Sequence, residues 1–388
     1  MPYVTNRAIH DADAHIMETP EMLADFADPR FRAQIGSHDF AHLMGGEGAE
    51  ALFDELRATQ ADPDFRARDE AEIMSRKNWH ATGSFLKDDR AMALDMLGFK
   101  SQLMFNTFWN AYLLDLEMGD DVELAYGAAQ AHNRAMLDFC AVDKRLLAAC
   151  YVPLMDFERS AAFTAEVIKA GAKAILVPSA CPANHSPSHT GLFPIWRQAE
   201  EAGLPIVMHV GGGGQLLDPT YFENGLPAVK DFHGGAENFR SVDYMAIPRP
   251  TAQTLATLII DGIFEAHPAL KFGIVELGSV WLPGLMQQLD AAHEAFARHE
   301  DRLRKLSLRP SEYVQRQIRI TPYPTENTAW VIDQVGEDVC LFSSDFPHVE
   351  GGRAPIKRFD ASLVNSSEIV QQKFYHDNFV DLMGAGLG

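Results

Sequence analysis

The sequence predicts an α/β fold, a distorted (β/α)8 barrel with a helical insertion after its first strand. Three observations predict it. Short apolar runs of strand length recur eight times, amphipathic helical stretches lie between them, and three of the runs carry Asp or His at or just past their ends. In parallel barrels such strand ends are where the chemistry sits.

The runs are, in order, Ala8 to Ala14, Ser101 to Phe105, Leu146 to Val152, Ala174 to Val177, Ile206 to His209, Phe272 to Glu276, Ile318 to Thr321 and Val339 to Phe342. Among the helices, Phe193 to Ala202 carries Phe193, Trp196 and Ala199 near helical spacing, and Gly203 stops it. Thr251 to Ala266 follows Pro250 and sets Leu255, Leu258, Ile259 and Ile263 on one face. Ser366 to Met383 behaves similarly and closes the chain.

Glu18 to Gly98 is far longer than an ordinary βα connection. Its stretches Ala49 to Thr59 and Phe65 to Lys77 are charged and helical in character, so it reads as an insertion over the top of the barrel, the face on which βα loops emerge. The chain is therefore expected to be one domain, 1–388, with an insertion at about 18–98. A second long loop, Gly211 to Pro250, is rich in Gly and holds Tyr221, Phe222, Phe232, His233, Phe239 and Tyr244. Long loops in compact domains are usually functional, and these two are expected to wall a substrate pocket.

Composition excludes some partners. Lys and Arg number 33 against 54 Asp and Glu, a net charge of −21, which argues against nucleic acid and anionic membranes. No apolar stretch is long enough to span a membrane, and the first residues lack the apolar core of a signal peptide. A cytoplasmic protein with a small-molecule substrate is expected. Cys140, Cys150, Cys181 and Cys340 lie far apart with no CxxC pair, which fits free thiols in a reducing compartment.

Asp13 and His15 are spaced i, i+2, so a strand presents both side chains on one face. Alone, such a pair equally reads as a capping carboxylate beside an exposed histidine. His209 ends a second apolar run before Gly211 to Gly214, and Asp345 follows the last run. Each has a bland alternative, a hydrogen-bonded core histidine and a loop cap. Together they form a set of two imidazoles and two carboxylates that suits one divalent ion: zinc, manganese or iron. Glu276 ends the sixth run and could accept a proton from water or orient a histidine. His348 lies three residues beyond Asp345, within reach of substrate or water. His233 and His80 are weaker candidates in the long loops. Arg249 could recognise a carboxylate, or form a surface salt bridge.

Asp11-Ala12-Asp13-Ala14-His15-Ile16-Met17-Glu18 resembles the opening motif of the amidohydrolase-2 group, the branch of the amidohydrolase superfamily that contains aminocarboxymuconate-semialdehyde decarboxylase and related aromatic-acid decarboxylases. The similarity continues through Phe193 to Trp196, Leu204 to Gly211, Gly262 to Pro268, Trp281 to Pro283 and Ser344 to His348. It implies a distorted TIM barrel with one catalytic divalent metal, ligands at Asp13, His15, His209 and Asp345, and a homodimer or higher homo-oligomer. Many relatives carry His where this chain has Asp13, and the well-studied decarboxylases carry His where it has Glu276.

The leading expectation is metal-dependent hydrolysis of a small aromatic or cyclic substrate. Glu276 takes a proton from activated water and His348 holds the leaving group or a substrate oxygen, with Asp345 at the ion. The alternative is non-oxidative decarboxylation of an aromatic or unsaturated acid, with Arg249 as an anchor. A third reading, a catalytically idle barrel that serves as a binding module, leaves the convergent ligand set without a purpose.

Overall fold

A computed structural model describes residues 2–38, 40, 49–227 and 240–388. Seven parallel strands form one sheet: β1 Asp11–His15, β2 Gln102–Phe105, β3 Leu146–Tyr151, β4 Ala174–Leu176, β5 Ile206–His209, β6 Phe272–Val275 and β7 Ile318–Ile320. They are hydrogen-bonded in chain order, β1 to β7, each to the next. Every residue of every strand is buried, as expected of a parallel sheet covered by helices.

The eighth apolar run closes the barrel without becoming a regular strand. Isolated parallel bridges join Ile320 to Cys340 on one side and Ala14 to Phe346 on the other. Ile320 donates to Val339 O at 2.9 Å and Leu341 to Ile320 O at 3.0 Å. Across the segment Ala12 donates to Phe342 O (3.1 Å), Asp345 to Asp13 O (2.9 Å) and His15 to Phe346 O (2.7 Å). Residues 339–346 thus bridge β7 and β1, and the architecture is a distorted (β/α)8 barrel.

The helix Phe193–Ala202 forms as its spacing predicts, with Gly203 at φ 66 as its left-handed cap. The expected helix over 251–266 is two helices, Arg249–Ile260 and Ile263–Ala266, because Gly262 adopts φ 84 between them. The C-terminal stretch is interrupted by a π turn at Lys373–Asp377 between Glu368–Gln372 and Asn378–Met383. Between β1 and β2 the described residues form Met22–Asp25, Pro29–Gly36, Ala49–Ala61, Pro63–Glu72, a turn at Asn78–His80 and Lys87–Leu97. This stretch is stitched to the barrel mouth. Asn78 donates to Pro347 O at 2.9 Å, Met17 to Ser84 O at 2.8 Å, and Trp79 stacks on Phe108 with ring centroids 5.5 Å apart.

Three cysteines are buried and Cys181 is exposed, all as free thiols. Among the described residues, no helix is long and apolar enough to cross a membrane.

Candidate metal centre

β1 carries Asp13 and His15. A register shift between Asp11 and Ala14 leaves one more residue on β1 than on β2 there, yet Asp13 Oδ1 and His15 Nε2 still meet at 3.1 Å. His209, the last residue of β5, brings Nε2 to 3.3 Å from the same Asp13 oxygen. Glu276, just past β6, holds Oε2 at 3.3 Å from His209 Nε2 and 3.8 Å from His15 Nε2. Asp345 Oδ1 is 3.5 Å from His15 Nε2 and 2.9 Å from His348 Nδ1. The structure thus gathers all six of these sequence-derived candidates, all of them buried.

The tautomers follow from the backbone. His15 Nδ1 lies 2.8 Å from Asn106 O, and His209 Nδ1 lies 2.9 Å from Val210 O. A carbonyl only accepts, so each Nδ1 donates and each Nε2 turns a lone pair toward the centre. Burial, reinforced by the neighbouring His348, pushes His15 down to about 3, so its ring is neutral near pH 7. His348 Nε2 is 2.9 Å from Thr107 Oγ1, whose single proton reaches Ile16 O at 2.8 Å. His348 Nε2 therefore donates, and its Nδ1 faces Asp345.

Such a centre is electrostatically unfinished. Asp13 Oδ2, His15 Nε2 and Asp345 Oδ2 are buried with no hydrogen-bond partner. Burying acceptors face to face is costly unless a cation lies among them. Asp13, His15, His209 and Glu276 form one tetrad, and His15, Glu276, Asp345 and His348 another, with the donor atoms of each within 4.8 Å. The cluster suits one divalent metal ion. A narrow cavity of about 10 Å³ beside it is bordered by Thr321, Tyr323, Ser343 and Glu350.

Strain and buried clamps aim the carboxylates. Among the described residues only Asn78, Glu276 and Asp345 combine a side chain with positive φ, at 53, 54 and 52. Left-handed backbone at such residues costs roughly 1–3 kcal/mol and persists where the surroundings enforce it. Here Glu276 donates its N–H to Thr321 Oγ1 at 2.9 Å and accepts from the Tyr323 hydroxyl at 2.8 Å. Asp345 follows Ser344, whose N–H and Oγ–H donate to Asp11 at 2.7 and 2.6 Å.

Sequence reasoning missed this supporting layer. Buried Asp11 also accepts from Gln102 at 2.9 Å, and burial raises its carboxyl to about 7 against those bonds. Buried Arg90 donates to His15 O at 3.0 Å and to Gln102 at 3.1 Å. Glu18 accepts from the N–H groups of Thr107, Phe108 and Trp109, at the start of the helix Trp109–Glu117. Lys77 buries an ammonium without a hydrogen-bond partner, facing the charges of Asp345 and Glu350. Asp11 carried a signal, since it lies two residues before Asp13. Arg90 and Lys77 sit in the long insertion and carried none.

The remaining candidates stand apart. Arg249 is exposed at the start of its helix and lines an outer groove with Leu285, Gln288 and Leu289. His80 is exposed, and His233 lies outside the described residues, as do Phe232 and Phe239. Trp109 is fully buried against His132, which is core packing.

Comparison with known proteins follows the same lines. The sequence model of the family Amidohydrolase matches residues 10–382. No curated protein matches. Among solved structures, an amidohydrolase from Mycobacterium avium subsp. paratuberculosis K-10 superposes with a TM-score of 0.73 at 22 % identity, covering 98 % of this chain and 100 % of that one. The 5-carboxyvanillate decarboxylase of Sphingomonas paucimobilis gives 0.62 at 16 % identity, covering 97 % and 99 %. A dihydroxybenzoic acid decarboxylase from Polaromonas sp. JS666, solved with manganese and 2-nitroresorcinol, gives 0.62 at 16 % identity, covering 97 % of each chain. The barrel, its mouth of histidines and carboxylates and the match from residue 10 to residue 382 have one reading: the chain belongs to the amidohydrolase family.

Proposed function

We propose that the protein removes carbon dioxide, without oxidation, from a small aromatic or unsaturated carboxylic acid. The observation that carries this reading is the buried group of imidazoles and carboxylates at the barrel mouth, with the unpartnered Lys77 ammonium next to it. Asp13, His15, His209 and Asp345 would hold the divalent ion. When bound, that ion supplies a Lewis acid able to chelate a carboxylate and a neighbouring oxygen.

The chain's own residues do the rest. Lys77 gives the substrate anion a counter-charge in a site otherwise rich in carboxylates. Phe105, whose ring centroid is 4.5 Å from that of His209, packs an apolar ring behind the centre. His348, fixed through Nε2 on Thr107, holds a proton on Nδ1. As the bond to the carboxyl carbon breaks, its electron pair stays on the substrate carbon, which takes that proton, and carbon dioxide leaves. The likeness to two aromatic-acid decarboxylases supports this direction.

Hydrolysis is the second reading, favoured by Glu276, a carboxylate facing the centre in position to accept a proton from water. One experiment separates the two. Purified protein is incubated with hydroxylated aromatic acids and with cyclic amides or esters in ¹⁸O-water. Headspace carbon dioxide with no ¹⁸O in the organic product supports decarboxylation. Incorporation of ¹⁸O into product without carbon dioxide overturns it in favour of hydrolysis.

A further inference from the structure

We infer that Glu276 is itself a ligand of the metal ion, not a base standing beyond it, and that it biases the site toward six-coordinate manganese or ferrous iron over zinc. The inference rests on the single-ion reading of the site and is independent of which reaction follows.

The distances carry it. A first-row divalent ion holds its ligands at about 2.1 Å, so neighbouring donors lie roughly 3.0 Å apart in an octahedron and 3.4 Å in a tetrahedron. The separations from Asp13 Oδ1 to His15 Nε2 and His209 Nε2 are 3.1 and 3.3 Å, and His15 Nε2 to Asp345 Oδ1 is 3.5 Å. Glu276 Oε2 is 3.3 Å from His209 Nε2, inside this range, and 3.8 Å from His15 Nε2, a little beyond it. A base acting through water would stand a further layer out. Glu276 also faces two nitrogens whose protons are committed to carbonyls on the other side of each ring, so neither can donate to it. Oxygen and nitrogen lone pairs meeting at 3.3 Å in a buried site call for a cation between them.

The backbone agrees. Glu276 is held at φ 54 through both of its backbone groups, by the Thr321 hydroxyl and the Tyr323 phenol. Such double clamping is the arrangement of a ligand whose direction matters. With Glu276 the set becomes two imidazoles and three carboxylates, five donors in all. That exceeds the four usual at structural zinc and leaves one octahedral position for substrate, in a donor set richer in hard oxygen.

The test reads metal affinity, with no substrate present. Manganese and zinc are each titrated against a chromophoric chelator, using the full-length wild type, Glu276→Gln, Glu276→His and Tyr323→Phe. The expected result is at least a tenfold loss of manganese affinity in Glu276→Gln, and a rise of at least tenfold in the zinc-to-manganese affinity ratio in Glu276→His. Tyr323→Phe, which leaves the carboxylate in place but frees its backbone, loses manganese affinity several-fold. Manganese affinity within twofold of wild type in both Glu276→Gln and Tyr323→Phe overturns the inference and returns Glu276 to the role of base. If Glu276→Gln does not fold, Tyr323→Phe and Glu276→His decide alone. A wild type that binds no divalent ion sinks the single-ion reading itself, a distinct outcome.

Discussion

Asp13, His15 and His209 stand inside strands, whereas Glu276 and Asp345 stand at left-handed positions just beyond extended runs. The first group inherits its direction from the β-ladder. His15 pairs with Phe105 of β2 and His209 with Val275 of β6, so both point inward with no local cost, while Asp13 sits in the register shift between Asp11 and Ala14 on β1. The second group needs enforcement. Without Thr321, Tyr323, Asp11 and Ser344, neither carboxylate has reason to keep a conformation that costs roughly 1–3 kcal/mol. The difference teaches that half of this centre is set by strand periodicity and half by a buried layer outside it.

The largest expected effect comes from removing a strained donor outright. Asp345→Asn keeps the shape and discards the charge between His15 and His348, and should weaken divalent-ion binding by at least about 100-fold, near 3 kcal/mol. Isothermal titration with manganese checks it, and unchanged affinity would break the comparison at its centre. Next comes the enforcing layer. Asp11→Asn keeps one acceptor for Ser344 but loses the second bond and the charge facing Arg90. Metal affinity should fall about 10–100-fold although Asp11 bears no donor in either tetrad.

A control lies outside both groups. Burial, opposed by the Tyr151 hydroxyl and the Leu154 N–H, raises Glu117 from 4.5 to about 7. The folded state therefore holds this proton more tightly than the unfolded chain. Its contribution is complete below about pH 4.5 and is lost as pH rises through 7. Wild type should lose on the order of 2 kcal/mol more stability than Glu117→Gln between about pH 5 and 8, measured by urea unfolding of the metal-free proteins, with manganese affinity unaltered. The last effect is expected at Gly351. A Cβ there would collide with the backbone oxygen of Ser344 and meet Asp345 Cβ at 3.0 Å. Gly351→Ala should cost about 3 kcal/mol of stability, because backbone must move, and only several-fold in metal affinity through the shift of Asp345. A thermal melt with a parallel titration would reveal either change alone.

The two groups also differ in how far the sequence exposes them. β5 matches its apolar run end to end, and β1 differs by a few residues, because buried strands write themselves as continuous apolar stretches. The site residues followed, since an Asp or His ending such a stretch is conspicuous. The closing run Val339 to Phe342 was legible as apolar, but the irregular path of the segment it opens was not, because that geometry depends on the Asp345 backbone and on two flanking edges far away in sequence. Arg90 and Lys77 were invisible for a related reason. A cation in a charged helical insertion looks solvated until the fold buries it. Arg249 shows the converse, a plausible anchor by chemistry that the fold turns to an outer groove.

The closing segment has a mechanical consequence. It joins β7 through two backbone bonds and β1 through three, while its neighbours run in regular ladders. The barrel therefore has a seam, and the donors straddle it, with Asp13 and His15 on one lip and Asp345 on the other. An ion that grips both lips works as a rivet. Amide protons of Ala12, Leu341 and Asp345 should exchange with solvent more slowly once it is in place, while those of β3 and β4, on the opposite wall, stay as they were.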